Sequence, residues 1–146
     1  MPMTMKQMAA NTPRDRKLMS QYVVLSNVKK KNIKPGLQRY LSATTYSTHV
    51  MDPKLGVPVK NKLRTKYRTE VLSLQGDSKP LGKSYLKVSC ECGDFWCHWE
   101  YALNKRGASD IQYSNGEPPV VTNPRNIAGV CKHIMALFMQ IQAHGW

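Results

Sequence analysis

The sequence predicts an α+β fold in which a small antiparallel sheet is joined to two C-terminal helices and preceded by an extended basic N-terminal arm. Three patterns predict it: polar and apolar residues alternate before position 90, apolar residues recur at helical spacing after it, and all four cysteines lie within residues 90–131. A chain of 146 residues has the length of one domain. We divide it into an arm (1–20), a basic, mainly β region (21–83) and a C-terminal module (84–146).

The first element is the arm. Residues 1–20 are rich in methionine, and Pro2 and Pro13 limit any long helix there. We expect the segment either to be mobile or to dock its methionines on another subunit. Residues 22–28 are β-branched and aromatic and precede three lysines, which is typical of a strand that ends in a basic turn.

Further strands follow. Pro35 and Gly36 interrupt the chain before a Thr- and Ser-rich segment, 37–50, that favours extended structure. Residues 62–74 alternate with period two, which predicts a half-exposed strand with a basic solvent face. Residues 85–90 form a second strand that ends at Cys90. A hairpin is the natural connection between these two strands.

The pattern becomes helical after Gly93. Phe95, Trp96, Trp99 and Leu103 recur at helical spacing, Asp94 can cap the helix, and Gly107 can end it. A long loop over residues 107–126 follows. The last helix is predicted at 129–142, with an apolar face that packs on the aromatic residues of the first helix.

The cysteines indicate a metal site. The N-terminus has no apolar run of signal-peptide length, so the thiols are expected to stay reduced, and closely spaced Cys with a nearby His favour metal ligation over the alternative of disulfides. Three cysteines and one histidine would complete a tetrahedral shell around Zn²⁺, which is typical of a structural site. The predicted ligands are Cys90, Cys92, Cys131 and His133.

These residues resemble a known motif. CEC at 90–92 and CKH at 131–133, separated by 38 residues, resemble the SWIM-type zinc finger, whose pattern is Cys-x-Cys followed by Cys-x-His. The insert is long for that family. Residues 84–140 also resemble small zinc-motif proteins of tailed bacteriophages, which pair a Cys-x-Cys and Asp-Phe start with an Asn-Pro and Gly-x-Cys-Lys-His end.

Cys97 and His98 are alternative ligands. Neighbouring helical residues point about 100° apart, so at most one fits easily, and either would exceed four ligands. The simpler interpretation of Cys97 is a small buried apolar group. A catalytic zinc would need an open coordination position, and Glu91, between two ligands, is expected to point away from the metal. We therefore predict a protein that is not an enzyme.

The positive charge lies in the N-terminal part. Residues 1–87 carry 18 Lys and Arg against four Asp and Glu, whereas residues 88–146 carry four against five, within a net charge of +13. Such a field favours an acidic partner, either nucleic acid or protein, although a solvated face is an equally good interpretation. Tyr67 among the charges favours nucleic acid, without a base-reading motif. The candidate residues are Lys29, Lys30, Lys31, Lys34, Lys60, Lys62, Arg64, Lys66 and Arg68.

Together these patterns lead to one functional expectation and one alternative. We expect a zinc-binding structural or assembly protein of a tailed phage virion that docks on neighbouring subunits within an oligomeric assembly. The alternative is a sequence-nonspecific DNA- or RNA-binding module of SWIM type in regulation or replication. An inhibitor of a host enzyme is a third possibility. No apolar run has the roughly 20 residues of a membrane span, so we expect the virion or the host cytoplasm as location.

Overall fold

The computed structural model describes residues 2–34, 38–75 and 79–146 and has an α+β fold. An antiparallel sheet of five strands has the order β1-β7-β6-β3-β2, and β4 and β5 form a separate two-stranded ribbon. The predicted small antiparallel sheet is therefore confirmed. The strands are β1 (Met3–Thr4), β2 (Val23–Lys34), β3 (Gln38–Ser47), β4 (His49–Met51), β5 (Pro58–Lys60), β6 (Tyr67–Ser73) and β7 (Tyr85–Cys90).

The helices lie at the two ends of the chain. They are α1 (Met5–Asn11), α2 (Arg14–Ser20), α3 (Glu100–Lys105) and α4 (Lys132–His144), and a π-helical turn, Phe95–Trp99, leads directly into α3. A short 3-10 helix, Leu81–Lys83, precedes β7. Among the described residues, no helix combines the length and apolarity that crossing a bilayer requires.

The N-terminal segment does not form the extended arm that the sequence predicted. Thr4 and Gln7 form a capping box that starts α1, and Pro13 precedes α2, so the segment forms two short helices with Pro13 between them. Three methionines of the segment are buried within the protein's own core, namely Met3, Met8 and Met19. Burying them in this chain gains the same apolar free energy that docking on another subunit would have supplied.

The sheet follows the predicted hairpins with different strand ends. The β6-β7 hairpin is confirmed, with Thr69 opposite Cys90 and Val71 opposite Val88. However, β2 continues through the three lysines to Lys34, since the chain stays paired with β3 beyond a bulge near Asn27. The strand predicted at 62–74 begins only at Tyr67, because residues 61–66 have no partner strand in the described part of the chain.

The core lies between one face of the sheet and helix α4. Every second residue of the central strands faces it, as Leu41 and Val71 do, and the predicted apolar face of α4 meets them with Ile134, Leu137 and Ile141. Helix α4 begins at Lys132, three residues later than predicted, because residues 128–131 lead into the cysteine cluster without regular secondary structure. Phe95, Trp99 and Leu103 are buried as expected, whereas Trp96 is exposed.

Two buried polar side chains hold the long loop after α3. The Oε1 atom of Glu100, which is fully buried, accepts the backbone N–H groups of residues 112, 113 and 114 at 3.0–3.3 Å. Asn123 donates to the carbonyls of His98 and Ile127 at 2.8 and 2.9 Å and accepts the Ile127 N–H. The loop is thus fixed by hydrogen bonds to side chains where regular secondary structure is lacking.

We predict that Gly129→Ala destabilises the protein. A Cβ at Gly129 would lie 3.0 Å from the Trp99 ring and 3.1 Å from backbone atoms of Asn11 and Thr12, so α1 would have to move away. Overpacking of this kind costs about 1–3 kcal/mol of unfolding free energy, measurable by urea denaturation. Gly93→Ala is the matched control, since its Cβ meets nothing within 4 Å. Equal stability of the two variants would contradict this packing.

Candidate metal centre

Four side chains from two distant parts of the chain converge on one buried point. Cys90 ends β7, Cys92 follows one residue later, and Cys131 and His133 lie at the start of α4. Their ligand atoms are all within 4.8 Å of one another, and the exposed fraction of each residue is at most 4%. The structure therefore brings together the four residues that the sequence pattern predicts, and they form a candidate metal site.

The cluster has dimensions that suit a tetrahedral cation. Metal–sulfur bonds of about 2.3 Å in a tetrahedral shell separate the ligand atoms by about 3.8 Å, which lies within the observed limit. Thiolate sulfur and imidazole nitrogen are ligands that bind transition metals and do not suit Mg²⁺ or Ca²⁺. The residues present thus fit a bound transition-metal ion.

His133 offers one specific nitrogen to a cation. Its Nε2 lies 3.3 Å from the Ser47 hydroxyl, and its ring packs 5.1 Å from that of Tyr67, centroid to centroid. Its Nδ1 is buried and has no hydrogen-bond partner within the described residues. A buried ring nitrogen without a partner is costly, and a metal ion bound at Nδ1 would supply the missing partner. The Nε2 proton would then be donated to Ser47, a contact that fixes the ring.

Cys131 is the N-cap residue of α4. Its backbone is extended, with φ −76° and ψ 169°, and its carbonyl accepts the first helical hydrogen bond, from Met135 at 3.0 Å. The positive end of the helix dipole favours a thiolate at this position. Burial nevertheless raises the pKa of Cys131 well above its ordinary value, and the thiols of Cys90 and Cys92 act in the same direction. A bound cation would displace that proton.

Cys90 has the opposite tendency. Burial acts to raise its pKa, but hydrogen bonds from Cys131, Cys92 and His133 outweigh burial and hold the pKa well below the ordinary value. Thr69 adds a contact of 3.5 Å to the sulfur. The cluster therefore already favours one thiolate, and thiolate is the form that binds metals.

A cleft of about 430 Å³ opens beside the cluster. Its floor includes Cys92 and His133, and one wall is formed by alternate residues of the segment 61–67. Across the cleft, Arg16 of α2 makes a two-point contact with Asp94, at 2.7 and 3.2 Å. This ion pair joins the N-terminal helices to the turn after Cys92.

The competing candidate ligands lie outside the cluster. Cys97 is exposed, contrary to the buried apolar position expected of it, and is not among the four converging residues. The His98 ring contacts the Trp99 ring, with centroids 3.9 Å apart and the planes tilted by 39°. Glu91 is exposed and turned away as predicted, with its Oε1 accepting the Arg68 N–H at 2.6 Å.

Eight of the nine predicted basic residues are exposed, and they lie in two separate places. Lys29, Lys30 and Lys31 lie on the edge strand β2, and Lys30 is 4.6 Å from the Trp146 ring centroid. The side chain of Lys34 is outside the described part of the structure. The second group extends along the chain from β5 to β6 and is exposed. It contains Lys60, Lys62, Arg64, Lys66 and Arg68.

Sequence reasoning missed the residues that support the ligands. Ser47 and Tyr67 contact His133, and Arg16 holds Asp94, but none of them has a motif that marks the role. Their positions depend on the pairing of β3 with β6 and on the packing of α2. Only the folded structure supplies that information.

Comparisons with known proteins add no family to this geometry. No protein-family model, curated protein or solved structure matches the chain. The resemblance to SWIM-type fingers therefore stays a prediction. The metal site itself depends on the convergence of the four side chains and on their chemistry.

We predict that Cys131→Ser abolishes metal binding and unfolds the C-terminal half, because the binding free energy is part of the folding free energy. Metal content by elemental analysis and circular dichroism are the measurements. Cys97→Ser is the matched control, since Cys97 is the exposed cysteine outside the cluster. Full metal content in Cys131→Ser, or loss of metal in Cys97→Ser, would refute the ligand assignment.

Ser47→Ala is predicted to weaken the metal site without removing it. The variant leaves the four ligands intact but deletes the hydroxyl that orients His133, a loss that typically costs about 10–100-fold in metal affinity. Competition with a chromophoric chelator measures the change. Ser42→Ala is the control, because Ser42 lies on the same strand in a half-buried position on its opposite side. An affinity equal to that of Ser42→Ala would exclude the proposed orienting contact.

Proposed function

We propose that this chain is a non-enzymatic zinc-binding structural protein that serves as an assembly component of a tailed phage virion. The observation that carries the structural role is the buried cluster of three cysteines and one histidine, which joins the end of β7 to the start of α4. The zinc ion fastens the sheet to the C-terminal helix. The virion role is supported by the phage-like motif spacing and by an exposed apolar surface.

Zinc is the proposed metal because of the ligand set. Three thiolates and one imidazole in a compact buried cluster are typical of structural Zn²⁺, which prefers four tetrahedral ligands. Structural zinc contributes about 10–16 kcal/mol of apparent binding free energy in small zinc modules. That contribution offsets the cost of burying three thiols and an imidazole in one place.

The proposed absence of enzymatic activity follows from coordination. Four protein ligands fill a tetrahedral shell and leave no position for the water that a zinc hydrolase activates. The carboxylate nearest in sequence to the ligands, Glu91, is hydrogen-bonded to the Arg68 backbone. It is not placed to act as a base at the metal.

The proposed docking surface is the loop between the two ligand pairs. Val120 and Val121 are 73% and 88% exposed, and the exposed Trp96 and Tyr113 lie with them around one groove. This shallow groove of about 520 Å³ contains one charged side chain, Glu117. Neighbouring exposed apolar side chains of this kind are typical of protein–protein contacts. The occupant we propose is an apolar segment of a neighbouring virion protein.

Presence in the particle is the direct test of this function. Quantitative mass spectrometry of purified virions is expected to detect the chain at a fixed copy number per particle. Elemental analysis of the purified chain should find one zinc per molecule. Reproducible absence of the chain from complete particles would overturn the virion role while leaving the metal site intact.

We predict that Val120→Asp combined with Val121→Asp blocks incorporation into particles, because two charges cannot enter an apolar contact without a large desolvation cost. Zinc content should be unchanged, since both residues are exposed and distant from the ligands in sequence. The matched control is Leu55→Asp with Val57→Asp, an exposed apolar pair on the β4-β5 loop. Incorporation of both double variants at the normal copy number would contradict the docking surface.

A further inference from the structure

Every second residue from position 60 to 68 is basic. The side chains between them line the cleft beside the metal centre, namely Asn61, Leu63, Thr65 and Tyr67. The basic side chains are all exposed and do not line that cleft. The segment therefore has a cleft side and a charged solvent side. We name its first four cations the basic row: Lys60, Lys62, Arg64 and Lys66.

The basic row is anchored at both ends. At one end, Asn61 donates its backbone N–H to the carbonyl of Thr48 at 2.9 Å and its side-chain amide to that of Ser47 at 3.0 Å. At the other end, the Tyr67 ring packs against His133, and the Thr45 hydroxyl donates to the Tyr67 carbonyl at 3.1 Å. The row is thus held against β3 and the metal centre.

The charges of the basic row are not neutralised within the described structure. None of its four cations has a carboxylate at ion-pair distance among the described residues, and residues 53–69 contain no Asp or Glu. Other cations are paired: Arg16 with Asp94 at 2.7 Å, and Arg68 with Glu70 at 3.1 Å. Four neighbouring like charges repel one another, so counter-charge from outside the chain would stabilise them.

We propose that the basic row binds the phosphate backbone of double-stranded nucleic acid, a binding activity that goes beyond the proposed assembly function. A periodic polyanion matches a periodic row of cations, and contacts to phosphates position a protein on nucleic acid without reading its sequence. Binding through the phosphate backbone is therefore insensitive to sequence. The phosphates of a duplex carry one negative charge per about 1.7 Å of axis, which supplies the counter-charge.

The orientation of Tyr67 favours a duplex over a single strand as the partner of the basic row. Stacking of bases on aromatic rings contributes about 1–3 kcal/mol per base to single-strand binding. Tyr67 is the aromatic residue among these charges, and its ring faces the cleft and packs on His133. Without a stacking platform, backbone charge dominates, and charge favours the duplex.

The other basic cluster is not part of this surface. Lys29 pairs with Ser42 and Lys31 with Tyr40, toward the end of the β2-β3 hairpin that holds residues 34 and 38. The basic row lies before Tyr67, which pairs with Thr45 toward the opposite end of the same strand. The two clusters therefore form separate positive surfaces, and only the basic row is proposed to contact the duplex.

Fluorescence anisotropy of the zinc-loaded full chain with a labelled mixed-sequence duplex DNA tests the proposal. Four neutralised phosphates predict a slope of about −3.6 for log affinity against log salt, which is roughly a 100-fold loss between about 50 and 200 mM salt. The triple variant Lys62→Gln, Arg64→Gln, Lys66→Gln should reduce the slope to about −0.9, leaving roughly a threefold loss over that range.

A matched triple variant separates location from net charge. Lys6→Gln, Lys17→Gln and Lys83→Gln removes the same charge from exposed positions on α1, α2 and the 3-10 helix and should bind like the native chain. Equal weakening in both triple variants, each with full zinc content, would overturn the proposal. Weakening by substitution of Lys29–31 to the same extent would also overturn it.

Two competitors test the identity of the partner. Unlabelled duplex DNA should displace the labelled duplex, whereas polyglutamate at equal charge concentration should not, because its carboxylates lack the fixed spacing of phosphates on a helix. Displacement by polyglutamate as effective as that by duplex DNA would identify an acidic protein surface instead. Tighter binding of a single strand than of the duplex would overturn the duplex assignment.

Discussion

The convergence of three thiols and one imidazole at a single buried point is the constraint on which the rest of the structure depends. Those groups come from the end of β7 and the start of α4, and each is at most 4% exposed. Burying so many titratable groups together without a cation would leave protons crowded between sulfurs and one ring nitrogen without a partner. A bound cation would take the three sulfurs and the nitrogen as ligands and so link β7 to the last helix. Ser47 contacts His133 and so connects β3 to the same site.

The N-terminal helices support the cysteine–histidine cluster through hydrogen bonds to residues near both ligand pairs. Thr12 accepts the Val130 N–H at 3.0 Å, immediately before Cys131, and Arg16 holds Asp94, two residues after Cys92. The first twenty residues thus brace both ligand pairs from outside the cluster. This arrangement explains why Met3, Met8 and Met19 are buried in this chain and are not exposed for contact with a partner.

Local chemistry was readable from the sequence, whereas contacts between distant segments were not. The ligand pairs, the β6-β7 hairpin and the apolar face of α4 each follow from spacing within a few residues. The N-terminal helices had a readable signal, since Thr4 and Gln7 match a capping box, but the two prolines outweighed it. The inward turn of Tyr67 and the role of Ser47 depend on strand pairing. Alternation of residue types along a segment shows that it has two sides, but it does not show which side packs against the rest of the protein.

The two attachments of the long loop after α3 have a consequence for how this protein can change. Glu100 secures residues 112–114, and Asn123 secures the return toward Cys131. Between them, the hydrogen bonds described for residues 115–121 all stay within the loop itself. Its tip can therefore be lengthened, shortened or replaced while both ends remain clamped. Evolution, or an engineer grafting a foreign peptide, can thus retarget the surface without rebuilding the scaffold beneath it.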